Sequence, residues 1–292
     1  MTAQVVANAL VVGCSAAILA IALSLVRSAV GFFDFSLAGI YTLAAYAARE
    51  ALTSGVPPIL AIIVAILTAT AIAIAVHFAL YEPLRRSGAS PEVLLIASLS
   101  LLLILQNVIP LLFGDGILSM GGDAFRQSAF QFLGSRVTRV EVAIVVVAAV
   151  LTAVLLAVMR QTALGLQMRA LAQDRDLSRT YGVRSERIIV STVVMAAVLA
   201  SAIGILSGFE SDLTPTMGFR AVLLAAVAAV VGGRGNILGV FLGAVVVAGA
   251  QQMAALEFPV QWQDTLVFTC LIVFVIWRPN GIMQRRSPGV SE

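Results

Sequence analysis

The chain has 292 residues, 60% of them hydrophobic and 11% charged, with a net charge of +3 and a mean hydropathy of +1.03. A soluble domain averages roughly 25% charged residues, so a soluble globular fold is excluded and a polytopic membrane protein is indicated. All 18 basic residues are arginine, which rules out a Walker A phosphate loop or a Schiff-base lysine in this chain, while a modest positive charge confined to loops argues for orientation in a bilayer, not for nucleic acid.

Charge-free stretches cover Met1–Val26, Ala51–Tyr81, Val93–Gly114, Val142–Met159, Ile188–Phe209 and Gly235–Leu256, most of them near the ~20 residues that cross hydrocarbon as a helix. A helix satisfies its own backbone in lipid, and continuous apolar runs do not alternate as barrel strands do. The expected fold is therefore all-α, a single polytopic helix bundle over residues 1–292 with eight or nine membrane segments, some of them discontinuous.

In chain order, Val11-Val12-Gly13-Cys14 resembles a lipoprotein cleavage site, but no basic residue precedes it and the apolar run continues to Val26, so a retained first span is expected. Phe32–Ala48 carries Asp34 near its start, with Ser36 and Tyr41 close by. A carboxylate near a span is costly unless it meets water, a partner or a solute. Asp34 can line a pathway, sit at the interface, or pair with a residue such as Arg27. His77, the sole histidine, reads as a satisfied polar residue of the bundle; neither a zinc-protease helix nor a nucleophile elbow is present. Cys14 and Cys270 both fall in apolar spans and suggest no disulfide or metal site.

Between Arg160 and Arg187 lies a polar island that mixes both signs of charge more densely than anywhere else in the chain. It reads as a docking surface for a cytoplasmic partner or as a solvated loop. With the island inside, alternation also puts Arg27, Arg85-Arg86 and Arg278, Arg285 and Arg286 inside, the last three after a final span at Thr265–Trp277. The N-terminus is then external and the C-terminus internal. Outer loops hold balancing acids, such as Asp115 and Asp123 with Arg126, and Glu210 and Asp212 with Arg220; Arg136 and Arg139 are exceptions.

Leu213–Val231 contains Pro215, Gly218 and Arg220 and ends in Gly232-Gly233-Arg234-Gly235. Short segments interrupted by Gly or Pro point to a transport path, since broken helices expose backbone that only a cavity can satisfy; interfacial helix ends are the alternative. Asp34, Ser36, Tyr41, Gly218, Gly232, Gly233 and Gly235 are thus the candidate pathway residues. Gly235, Gly239 and Gly243, at intervals of four, line one helix face suited to close packing, and Gly204 and Gly208 form a weaker instance.

These residues together resemble the permease subunits of bacterial ABC importers for branched-chain amino acids, the LivH type, over nearly the whole chain. The most specific match is Arg169-Ala-Leu-Ala-Gln-Asp174 through Tyr181-Gly182-Val183 and Arg187, similar to the family's Arg-Ala-x-Ala-Glu-Asp, Leu-Gly-Ile and basic residue. The resemblance implies that this is the loop that docks on the ATPases, with Arg169, Ala172, Gln173, Asp174 and Gly182 as docking residues and Gln173 in place of the usual Glu. Gly218-Phe219 and the run Ala225–Gly239 look like a second signature. Asp34–Tyr41 is similar to a stretch that usually reads Asn-Phe-Ala-His/Gln-Gly-Glu, with Asp34 for Asn, Leu37 for His or Gln, Ala38 for Gly and Gly39 for Glu.

The resemblance further implies a second related permease subunit, two ATPases that bind the ATP, a periplasmic solute-binding protein and residence in the bacterial inner membrane. No cofactor, catalytic residue or metal is expected in the chain itself, and no enzyme activity. The expected cargo is branched-chain amino acids, with amides, urea or small aromatic carboxylates as alternatives. An ion-coupled secondary transporter is the rival class, and it would place carboxylates deep in its spans. A membrane-embedded hydrolase or transferase would need a nucleophile, base or metal constellation that the sequence does not display.

Overall fold

The computed structural model describes residues 2–114, 116–120, 129–132, 135–173, 185–233 and 236–257, with Thr265 and Thr269. The helices are α1 (Thr2–Val30), α2 (Ser36–Thr53), α3 (Pro58–Val76), α4 (Glu82–Arg86), α5 (Pro91–Phe113), α6 (Arg139–Gln161), α7 (Ala163–Gln173), α8 (Ser185–Glu210), α9 (Met217–Gly232) and α10 (Ile237–Glu257), with a π-helical turn, His77–Tyr81, joining α3 to α4. Six segments are long and apolar enough to cross a membrane. The largely buried α2 and the shorter apolar α9 pack among them. The all-α bundle expected from the apolar runs is therefore the observed fold. Apart from Thr265 and Thr269, the expected span at Thr265–Trp277 and the arginines beyond it lie outside the described residues.

Local chemistry sets the helix limits. Pro58 and Pro91 open α3 and α5, where a missing N–H costs nothing because the first turn has no acceptor for it. Gly31 and Gly233 follow α1 and α9 with φ of +95° and +93°, a conformation that only glycine adopts cheaply. α6 begins in a capping box, in which Thr138 Oγ1 accepts from Glu141 N and the Glu141 carboxylate accepts from Thr138 N. Ahead of it, β1 (Ala129–Phe132) and β2 (Ser135–Thr138) pair antiparallel. This hairpin was not anticipated, because the alternation of Phe130-Gln131-Phe132 is too short to announce a strand.

α1, α2 and α8 form the centre. α1 packs against α10, α8 and α9, and α2 against α8, α3 and α5; Ala17, Ile18, Ala20, Ala38 and Ala44 are wholly buried. α3, α5 and α6 lie outside and expose apolar faces such as Leu67, Leu103 and Val150. In lipid such faces cost nothing, and helices associate through close packing instead.

The packed face of α3 is a stripe of alanines, Ala61, Ala65, Ala69 and Ala73, that continues through His77 and Tyr81. At about 100° per residue, a strict spacing of four drifts about 40° each step around an α-helix. The π turn holds one residue in excess and takes back about 100° of that drift. Tyr81 thereby stays on the bundle side.

The two ends of the bundle sort as the arginine pattern requires. Ser28 of α1, Arg160 of α6, Arg169 of α7 and Asn236 at the start of α10 line one cavity, and Arg86 lies 3.8 Å from Glu186. At the opposite end Leu118 and Leu213 exchange backbone hydrogen bonds of 3.3 and 2.7 Å, joining two loops.

Candidate functional site

Two helices begin inside the bundle, side by side. α2 starts at Ser36 after a short non-helical segment. Asp34 is buried there at 4% exposure, and its Oδ1 accepts from Ser36 N at 3.0 Å, from Ser36 Oγ at 2.5 Å and from Tyr81 Oη at 2.7 Å. Tyr81 Oη also lies 3.1 Å from Ser36 Oγ, and the ring sits edge-on to Phe32. Phe35 N donates to Ser98 Oγ of α5 at 3.2 Å. The carboxylate is thus inside the protein, held by neutral donors from α2 and the π turn. The Arg27 guanidinium lies over the Phe33 ring, 4.4 Å from its centroid.

α9 starts against the same part of α2. A side chain at Gly204 of α8 would meet the Tyr41 carbonyl, and one at Gly208 would meet Ala45. α8 thus rises alongside α2, and the chain then turns back, because a side chain at Gly218 would meet the Ala38 carbonyl and the Thr42 hydroxyl. From the level of Ala45 to that of Ala38–Thr42 is about five residues, or about 7 Å of helix rise. α9, with 16 residues, is accordingly shorter than the spans around it, and its first turn lies within the bundle. Its exposed backbone is met by Thr42, whose Oγ1 accepts from Gly218 N at 3.1 Å and donates to the Ala38 carbonyl at 3.0 Å. The positive ends of two helix dipoles, α2 and α9, thus adjoin one another close to a buried carboxylate.

The structure brings Asp34, Ser36 and Gly218 to this junction, while Tyr41 is buried one turn along. Gly232 and Gly233 lie at the far end of α9. There Gly232 packs against Gly239 and Val240, and Gly243 against Gly232 and Ala228, so Gly239 and Gly243 do pack helix on helix. Gly235, Asp174 and Gly182 lie outside the described residues. Of the docking residues, Ala172 and Gln173 are exposed at the end of α7, while Arg169 is half-buried. Tyr81, Thr42 and Ser98 were missed from sequence. Each is one polar residue in an apolar run, and only the fold shows what it faces. The altered Gly39 has a local reason: any side chain there would run into Leu105 of α5, which leaves no room for the glutamate usual at that place. Among the described residues no group of three His, Cys, Asp or Glu could hold a metal ion.

A family model, the branched-chain amino acid transport system permease component, matches residues 5–276. The chain belongs to this family. Among curated members it is 29% identical to the high-affinity branched-chain amino acid transport system permease protein BraD of Pseudomonas aeruginosa over 97% of this chain and 95% of that one. To LivH of Salmonella typhimurium it is 26% identical over 95% and 94% of the two chains, and to LivH of Escherichia coli K12 24% identical over the same shares. In solved structures, PsaBC from Streptococcus pneumoniae in complex with Fab superposes with a TM-score of 0.49 at 16% identity, covering 92% of this chain and 89% of that one. As a member of the family the chain is a membrane transport permease component, and the paired starts of α2 and α9 are its candidate site.

Proposed function

We propose that the chain carries branched-chain amino acids across the bacterial inner membrane, as one of two related permease subunits driven by two separate ATPases and fed by a periplasmic binding protein. Membership of the permease family from residue 5 to residue 276 carries this reading. In support, α9 begins within the bundle beside α2, as the half-helices of transporters do at their solute sites. Asp34, Ser36 and Tyr41 are buried in the chain, so solute passes when the starts of α2 and α9 separate, a rigid-body opening of the kind a nucleotide-driven partner imposes. The solute ammonium meets Asp34 and its carboxylate the helix starts.

ATP is bound by the ATPases and not by this lysine-free chain, which has no enzymatic role. The exposed Ala172 and Gln173 at the end of α7, with Asp174 and Gly182 after them, dock on an ATPase, which puts that end of the bundle, and the C-terminus, in the cytoplasm and the N-terminus outside. Reconstitution of the assembled transporter in vesicles with labelled leucine, isoleucine and valine tests the reading. Uptake should require ATP and the binding protein, and unlabelled leucine should compete better than urea, amides or benzoate. Uptake driven by an ion gradient without ATP would establish the secondary-transporter class instead.

A further inference from the structure

At the end of the bundle that carries α7, a cavity of about 170 Å³ opens between α1, α6, α7 and α10. Its polar lining is Arg160, Arg169, Asn236, Ser24 and Ser28, and its apolar lining includes Ile21, Leu156 and Val240. Among the described residues no acidic side chain lines it. Asn236 caps α10, its Oδ1 accepting from Leu238 N at 3.1 Å and Gly239 N at 3.3 Å, so a helix N-terminus adds positive potential. Arg169 Nε is 3.3 Å from the Gly165 carbonyl, which holds the side chain along α7 and toward the cavity, away from the exposed Ala172–Gln173 edge. Among the described residues neither guanidinium is seen in an ion pair with a carboxylate.

Two guanidiniums and two serines over an apolar wall, at one end of transmembrane helices, form an amphipathic receptor for an anion. We infer that this cavity binds a phosphate group, and that the phosphate is the headgroup of an acidic membrane phospholipid. The volume is several times the ~30 Å³ share of a water molecule, enough for a phosphate and its ester oxygens but not for acyl chains, which would lie along the apolar side of the cleft. Basic pockets between helices at a membrane surface recognise lipid headgroups by this chemistry, and a guanidinium holds phosphate through two parallel N–H donors. A soluble phosphate is the other possible source of the same group. An occupant here would tie α7 to α1, α6 and α10.

The test is native mass spectrometry of the detergent-purified transporter, titrated with phosphatidylglycerol, with phosphatidylethanolamine of matched chains, and with inorganic phosphate. Wild type should retain phosphatidylglycerol with a preference of at least about fivefold over phosphatidylethanolamine, the scale of one basic side chain at a lipid surface. Arg160→Gln/Arg169→Gln should abolish the preference, while Arg220→Gln should leave it intact. Should the double variant fail to assemble, Arg160→Gln alone, at an exposed position, should weaken the preference several-fold. Retention of inorganic phosphate by wild type but not by the arginine variants, with no lipid preference, would keep the phosphate site and assign it to a soluble ligand. Equal retention of both lipids with no phosphate binding, or an unchanged preference in the arginine variants, would overturn the site.

Discussion

Asp34 receives all three of its hydrogen bonds on one oxygen, from Ser36 N, Ser36 Oγ and Tyr81 Oη, and this separates what its shape does from what its charge does. An asparagine, the residue similar permeases usually carry there, offers the same acceptor atom without the charge. Asp34→Asn should therefore leave the folded transporter within about 1 kcal/mol of wild type. Asp34→Ala strands several buried donors at once and should cost about 2–4 kcal/mol, read as a lower thermal unfolding midpoint in detergent. Comparable melting of the alanine variant and wild type would remove the network from the fold's support. In transport, Asp34→Asn should weaken uptake of leucine relative to an analogue lacking the ammonium group, because the amide no longer attracts the cation. An unchanged ratio would take Asp34 out of the solute path. The carboxylate was legible in sequence as an expensive residue needing a reason, but its partner Tyr81, 47 residues away, was not.

Among the elements, the π turn between α3 and α4 is the least predictable from pattern, since a buried stripe at spacing four reads as an ordinary helix face. It is inferred from drift: Ala61 and Tyr81 share a packed side only if the helix between them turns less than 100° per residue somewhere. Because the turn holds one residue in excess, deletion of the exposed Ala79 should be tolerated, letting an α-helix run through with Tyr81 still facing Asp34. Deletion of Ala71, exposed in the regular part of α3, should instead rotate everything after it by about 100° and prevent assembly. Size-exclusion profiles of tagged variants in detergent distinguish these outcomes, and equal behaviour of the two deletions would refute the register argument. α9 is the opposite case. Its Pro215, Gly218 and terminal glycines announced an interrupted segment, and the structure supplied the reason: a helix start seated on Thr42, with no room for a side chain at Gly218.

For the molecule as a whole, orientation follows from which loops share an end. Arg86 with Glu186, and Arg160 with Arg169, gather the arginine-rich connections at one end, the end proposed above as the cytoplasmic one because arginine is in excess on cytoplasmic loops. In a variant with Cys14 and Cys270 replaced by alanine, single cysteines at Ser87 and Thr162 should resist an impermeant thiol reagent in whole cells, and one at Ser54 should react. The reverse pattern would invert the topology and place α7 where no cytoplasmic ATPase could reach it.

Helix type and the positions of the long apolar spans were written in composition, because in lipid an unpaired backbone group costs enough for local sequence to dictate them. Tertiary structure alone decided which helices are central, how deep α9 begins, and that Asp34 meets Tyr81 and Ser36 and not Arg27. An apolar residue is equally content against lipid or against another helix, so hydrophobic pattern cannot tell α1, α2 and α8 from α3, α5 and α6. That choice is made by close fit between distant glycines, alanines and backbone carbonyls, which exists only once the helices have come together.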